Sequence, residues 1–127
     1  MFAGKNGWEP LADETGAFVV MLPDSPGNIW NFDRDSVALS TMIADALDSY
    51  GLDATRVYLT GFSNGAIMTC QMATSYPRLF AAASPWNSPG AAALAVGGLG
   101  SFLYADDFAN SGFDMPFWTF YGDSDDK

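Results

Sequence analysis

Five consecutive residues, Gly61-Phe62-Ser63-Asn64-Gly65, have the types and spacing that suit nucleophilic chemistry. In a G-x-S-x-G pattern the serine stands on a strained turn between a strand and a helix, and the flanking glycines let the backbone approach closely. A serine so placed attacks a carbonyl carbon. The backbone N–H of the next residue, at the start of the helix, then stabilises the negative oxygen that develops. Ser63 is therefore the candidate nucleophile and the Asn64 N–H the candidate oxyanion-hole donor, with the helix dipole favouring the same negative charge. The pattern is short enough to arise by chance as an ordinary glycine-rich turn, so its context decides. The chain contains no histidine and cannot complete a Ser-His-Asp triad by itself. A Ser-Lys pair would need a desolvated lysine beside Ser63, and the only lysines are Lys5 and Lys127.

For such a turn to work, a strand must lead into it and a helix must leave it. Arg56-Val57-Tyr58-Leu59-Thr60 is a β-branched and aromatic run that ends at Gly61. A helix fits Asn64 to Tyr76 and is stopped by Pro77, whose ring disfavours helical geometry at the preceding residue. Upstream, Ala17 to Leu22 reads as a fully buried strand followed by a loop. Leu39, Ile43, Ala46, Leu47 and Tyr50 recur at helical spacing, which predicts a helix over 36–50, capped by Asp33 or Asp35 and ended at Gly51. Downstream, Leu79 to Ser84 reads as a short strand, its alanines leaving a helix as the alternative. Residues 85–113, rich in Gly, Ala and Ser, are expected to combine a loop, a small helix near Ala91 to Val96 and an irregular segment. Pro116 to Tyr121 is a strand candidate that runs into Gly122 and an acidic tail. Strands alternating with helices predict an α/β fold, a mostly parallel sheet flanked by helices. Residues 1–127 read as a single partial domain.

Composition narrows the classes of function. With 127 residues, 49% hydrophobic and 15% aromatic, the chain has single-domain length and ample material for a core. Fifteen acidic against five basic residues give a formal charge of -10, which repels phosphate backbones and anionic lipids, so neither a nucleic acid nor a membrane is an expected partner. No apolar stretch approaches the roughly 20 residues of a membrane span. The first residues lack a basic segment followed by an apolar run, so no secretion signal is read and the compartment stays open. A single cysteine, Cys70, excludes an internal disulfide and a multi-cysteine zinc site, and no metal or cofactor is expected. Cys70 lies two turns into an apolar helix, away from any cationic neighbour in sequence, and is expected to be inert. Met68, Met72 and Tyr76 on one face of that helix, and Ala66, Cys70 and Ala73 on another, read as core. Trp30-Asn31 and Trp86-Asn87 follow strands, where pockets of α/β sheets form, and both ring stacking on a substrate and loop anchoring are open readings for them.

Longer stretches carry a resemblance. Trp8-Glu9-Pro10-Leu11-Ala12-Asp13-Glu14-Thr15-Gly16-Ala17-Phe18-Val19-Val20, Trp30-Asn31, Asp53 to Ala66 and Tyr76-Pro77-Arg78-Leu79-Phe80-Ala81-Ala82 resemble the esterase and polyhydroxybutyrate-depolymerase-like branch of the α/β-hydrolases, which includes feruloyl and acetylxylan esterases. The resemblance covers residues 8–84 and resumes over 116–125. It implies the central portion of an α/β-hydrolase fold, incomplete at both ends, whose members are often secreted. It further implies carboxylic-ester hydrolysis through an acyl-enzyme, on a small-molecule or polysaccharide-linked acyl ester, although peptidases and thioesterases share the machinery.

In that family a turn of the form Gly-x-x-Asp supplies the aspartate that orients the catalytic histidine, and Gly122-Asp123-Ser124-Asp125 fits it. The resemblance thus nominates Asp125 for the catalytic set, with Asp123 and Asp126 as competitors and a solvated acidic terminus or a calcium-like cluster as plainer readings. The family's histidine follows the aspartate, and its third strand, with a second oxyanion donor, precedes Trp8 and would lie between the strand at 17–22 and the strand at 56–60. Neither is present, so truncation is the expected explanation and the lone chain is expected to be nearly inactive, because loss of a triad histidine costs about 10⁶ in kcat. The alternative is a non-catalytic or complementing subunit that self-associates or pairs with a partner chain through open sheet edges.

Overall fold

In the computed structural model of the chain, the described residues are 7–17, 30–87, 115–120 and 122. Their order is α1 (Trp8–Thr15), α2 (Phe32–Tyr50), a 3₁₀ turn (Ala54–Arg56), β1 (Tyr58–Phe62), α3 (Asn64–Ser75), a second 3₁₀ turn (Pro77–Leu79) and β2 (Ala82–Trp86). The α/β expectation holds: β1 and β2 are parallel, in the register Tyr58 to Ala82 through Phe62 to Trp86, with α3 as the connection between them.

Each element has a local cause. Glycines in left-handed geometry, Gly16 and Gly51, end α1 and α2, a conformation that costs other residues far more. The helix predicted from residue 36 begins at Phe32, and its cap is Asn31 rather than Asp33 or Asp35. The Asn31 side chain accepts the Arg34 N–H at 3.0 Å, while Asp35 reaches back to accept the Asn31 N–H at 2.9 Å. Two orphan donors of the first turn are thereby satisfied. Asp35 also pairs with the Arg34 guanidinium at 2.7 Å. The helix α1 has no counterpart among the predicted elements; Pro10 near its start and Gly16 just past its end were its only signals.

The strand expected over 79–84 is displaced to Ala82–Trp86, because Pro77 initiates a 3₁₀ turn that uses up residues 77–79. The strand candidate at 116–121 appears as two isolated parallel bridges to β2, Ala83 with Phe117 and Trp86 with Phe120. Pro85 explains the interruption. A proline in a middle strand removes one ladder donor, and here Ala83 and Asn87 donate to the carbonyls of Pro116 and Phe120, whereas the Trp118 carbonyl between them faces Pro85 and takes the Ser84 hydroxyl instead, at 2.9 Å.

The core lies on one face of this sheet. Leu39 of α2, Met68, Met72 and Ala73 of α3, Phe80, Ala83 and Met115 form one buried cluster, against which Leu59, Ile43 and Phe117 pack. Eight of the twelve residues of α3 are buried, the methionines and Cys70 among them, as core packing requires. The predicted strand at 17–22 and the predicted helix near 91–96 fall mostly or wholly outside the described residues.

Candidate active site

Ser63 occupies the turn between β1 and α3 with φ 54 and ψ −115, one of two non-glycine residues with positive φ among those described. A β-carbon is strained there, at a typical cost of about 1–3 kcal/mol that the surroundings must sustain. They do so by hydrogen bonds on both sides. The Ser63 N–H donates to the Trp86 carbonyl at 3.0 Å, and its carbonyl accepts from Ala66 at 2.9 Å and Ile67 at 3.2 Å. The hydroxyl makes no capping bond to the helix, although Ser63 stands in the position where serine ordinarily caps, and the residue is exposed.

The two glycines of the pattern differ in necessity. A β-carbon on Gly61 would lie 2.3 Å from the Gly65 carbonyl oxygen and 2.7 Å from Thr69 Oγ1, so strand and helix touch backbone to backbone at this point. One on Gly65 would meet nothing within 4 Å. Thr69 holds the contact by donating its hydroxyl to the Gly65 carbonyl at 2.9 Å. Asn64 is the first residue of α3, and no acidic side chain in that first turn offsets the positive end of the helix dipole.

A cleft of 350 Å³ opens at the carboxyl ends of the strands, lined by Phe62, Trp86, Asn87, Phe120 and Gly122. It adjoins Ser63 through Phe62, the preceding residue, and through Trp86, which receives the Ser63 N–H. Pockets at the carboxyl ends of parallel strands are the rule in open α/β sheets. Trp86 stacks on Phe120 with centroids 4.3 Å apart, and its indole N–H donates to Ser84 at 3.1 Å. Asn87 has φ 56 and donates its N–H to the Phe120 carbonyl at 2.8 Å. A larger hollow, of 520 Å³, lies around Tyr76 and Arg78 at the other end of α3, away from Ser63.

The two Trp-Asn pairs thus separate. Trp30 packs against the core and Asn31 caps α2, which is loop anchoring, whereas Trp86 and Asn87 line the cleft. Asn87 could have been singled out beyond its neighbour, since asparagine is one of the few residues that tolerate left-handed geometry, but nothing in the sequence marks that position. Asp125 and its competitors Asp123 and Asp126 lie outside the described residues. Cys70 is fully buried, and burial pushes its thiol up to about 11, which keeps it protonated and unreactive at neutral pH. Among the described residues there is no group of three or more His, Cys, Asp or Glu that could hold a metal ion, and no helix is long and apolar enough to cross a membrane.

Comparison with known proteins gives partial matches. Residues of this chain are 40% identical to acetylxylan esterase A of Emericella nidulans over 81 residues, which is 54% of this chain and 27% of that protein. The acetylxylan esterase A of Aspergillus awamori is 34% identical over 98 residues, 68% of this chain and 32% of that protein. That of Talaromyces purpureogenus is 37% identical over 93 residues, 64% of this chain and 24% of that protein. The chain therefore spans less than a third of the length of each of these curated relatives. No protein-family model and no solved structure matches. Partial similarity at 34–40% identity to proteins named acetylxylan esterase supports an esterase family for this chain.

Proposed function

We propose that the chain carries the nucleophile portion of a serine carboxylic-ester hydrolase of the α/β-hydrolase superfamily. The Ser63 hydroxyl attacks the ester carbonyl, passing its proton to a base, and the tetrahedral oxyanion is held by the Asn64 N–H at the start of α3. Collapse expels the alcohol, which takes a proton back from the same base, and water then hydrolyses the acyl-serine to release the acid. Asp125 is proposed to orient that base. The chain has no histidine, so the base must come from outside these 127 residues. The names of the relatives make the acetyl ester of a polysaccharide the proposed substrate, with the alcohol portion against Trp86 and Phe120.

The observation that carries this reading is Ser63 itself: a strained serine whose hydroxyl is not spent on capping, at the positive end of a buried helix and at the mouth of an aromatic cleft. The test is covalent labelling by a fluorophosphonate with imidazole added as a surrogate base. Imidazole-dependent label on Ser63, absent from Ser63→Ala, is expected; label that ignores imidazole or lands elsewhere refutes the assignment. Without imidazole, turnover of p-nitrophenyl acetate by the pure chain is expected to be close to background.

The second reading, a complementing subunit that contributes structure but no chemistry, is favoured by the outer edge of β1, which has no partner strand among the described residues. It predicts that Ser63→Ala leaves every assembly fully functional.

A further inference from the structure

The two paired strands finish in the same unusual way. Phe62 is in register with Trp86, so Ser63 and Asn87 are the next residues on neighbouring strands. They are also the two non-glycine residues with positive φ among those described, at 54 and 56. Each is pinned by the strand beside it: the Ser63 N–H donates to the Trp86 carbonyl at 3.0 Å, and the Asn87 N–H to the Phe120 carbonyl at 2.8 Å. Strained backbone held in place by its surroundings gathers at functional sites. Glycine would hold the Asn87 backbone with less strain, so the turn by itself does not call for a side chain there. Asn87 lines the cleft with Phe62, Trp86, Phe120 and Gly122, and among these described residues only two side chains carry a polar group. One of them is spent, because the Trp86 indole N–H donates to Ser84 Oγ at 3.1 Å. The other, the Asn87 carboxamide, has no hydrogen-bond partner among the described residues.

We propose that Asn87 is the residue that selects the alcohol half of the ester: its carboxamide hydrogen-bonds a free hydroxyl near the esterified oxygen, while the rings lining the cleft pack against the carbons. Small-molecule sites set orientation in this way, with apolar walls and a few fixed polar groups. A carboxamide offers donors and an acceptor, and a hydroxyl both donates and accepts, so the two are complementary. The position suits the alcohol half and not the carbonyl. Asn64 begins α3, where the oxyanion is held, whereas Asn87 ends β2 on the neighbouring strand. The ligand class is therefore a hydroxylated ring, and an apolar ester of the same size lacks the group that Asn87 reads. The inference rests on the hydrolase reading for the ester bond; recognition of the hydroxylated ring does not need it.

The test is a nuclear magnetic resonance titration of the full isotope-labelled chain with two probes: methyl β-D-xylopyranoside, and methoxytetrahydropyran, the same kind of ring without hydroxyls. The xyloside is expected to bind about three- to tenfold more tightly, the worth of one net hydrogen bond. It is also expected to move the side-chain amide resonances of Asn87, which the hydroxyl-free ring should leave in place. Asn87→Gly keeps the left-handed backbone without strain, should unfold at no lower urea concentration, and is expected to bind the two rings equally. The Asn87 resonances in the unaltered chain decide the matter even if that variant does not fold. A preference for the xyloside that Asn87→Gly removes, in a chain whose Ser63 takes no imidazole-dependent fluorophosphonate label, would refute the hydrolase reading and leave the role of Asn87 intact. Absence of xyloside binding, equal affinity of the unaltered chain for both rings, a preference that survives in Asn87→Gly, or Asn87 resonances that stay in place would each overturn the proposal.

Discussion

The Ser84 hydroxyl donates to the Trp118 carbonyl across 2.9 Å, standing in for the N–H that Pro85 lacks. The bond joins β2 to the 117–120 segment at the one point where the backbone ladder is broken, and the Ser84 hydroxyl oxygen in turn accepts the indole N–H of Trp86. Ser84→Ala should therefore cost about 0.5–1.5 kcal/mol, the net worth of a hydrogen bond whose exposed acceptor can turn to water. In a Pro85→Ala background a backbone donor returns, and the cost of Ser84→Ala should shrink by at least about 0.5 kcal/mol. Urea midpoints of the four proteins in this cycle provide the measurement; equal costs in both backgrounds would mean that the hydroxyl does not replace the missing N–H.

Gly61 and Gly65 should respond in opposite ways to alanine. At Gly61 the new methyl would overlap backbone atoms of Gly65 that cannot yield without moving α3, and a loss of about 3 kcal/mol is expected. At Gly65 there is open space, and alanine is about 1 kcal/mol better than glycine inside a helix. Gly65→Ala should leave stability unchanged or raise it. Comparable destabilisation by both would show that the strand–helix contact is looser than described.

Ser63→Gly should stabilise the fold while abolishing imidazole-dependent labelling. Glycine adopts positive φ without penalty, and the relieved strain exceeds the entropy that glycine adds to the unfolded chain by about 1 kcal/mol. Thermal and urea unfolding both report it. A destabilised variant would indicate that the serine side chain supports the turn rather than straining it.

Much of this was legible in the sequence, and for a physical reason. Gly61 and Ser63 specify a local geometry that few other sequences allow, and Pro77 stops the helix whatever surrounds it. What escaped depended on partners remote in sequence or on choices among near-equals. Asn31, Asp33 and Asp35 are all competent caps, and the extended backbone at Asn31 makes it the one used. The short helix at Trp8–Thr15 has no buried residue, so no apolar stripe announced it. The part played by Ser84 depends on Pro85 falling in a middle strand, a fact of the sheet and not of the dipeptide. Asp125 rested on family resemblance, and its position lies beyond the described residues.

Cys70 gives the chain a pH signature. Its thiol titrates near 9.0 when exposed and at about 11 when buried. Because the folded value is raised, the stabilisation from keeping the thiol neutral is complete below pH 9 and is lost as pH rises towards 11. Cys70→Ala should flatten that decline. Reaction of the native chain with a disulfide reagent at pH 8 should be far slower than that of the urea-unfolded chain; fast reaction of native protein would contradict the burial.

The exposed rings of Tyr58, Phe62 and Trp118 also set how concentrated solutions of the chain behave. At neutral pH the surplus of carboxylates holds molecules apart and leaves Trp118 and its neighbours in water. Near the isoelectric point of about 4.1 that mutual repulsion disappears while the rings remain uncovered. Those exposed rings then become a colloidal weakness, so turbidity should rise most steeply around pH 4 and subside in Trp118→Glu.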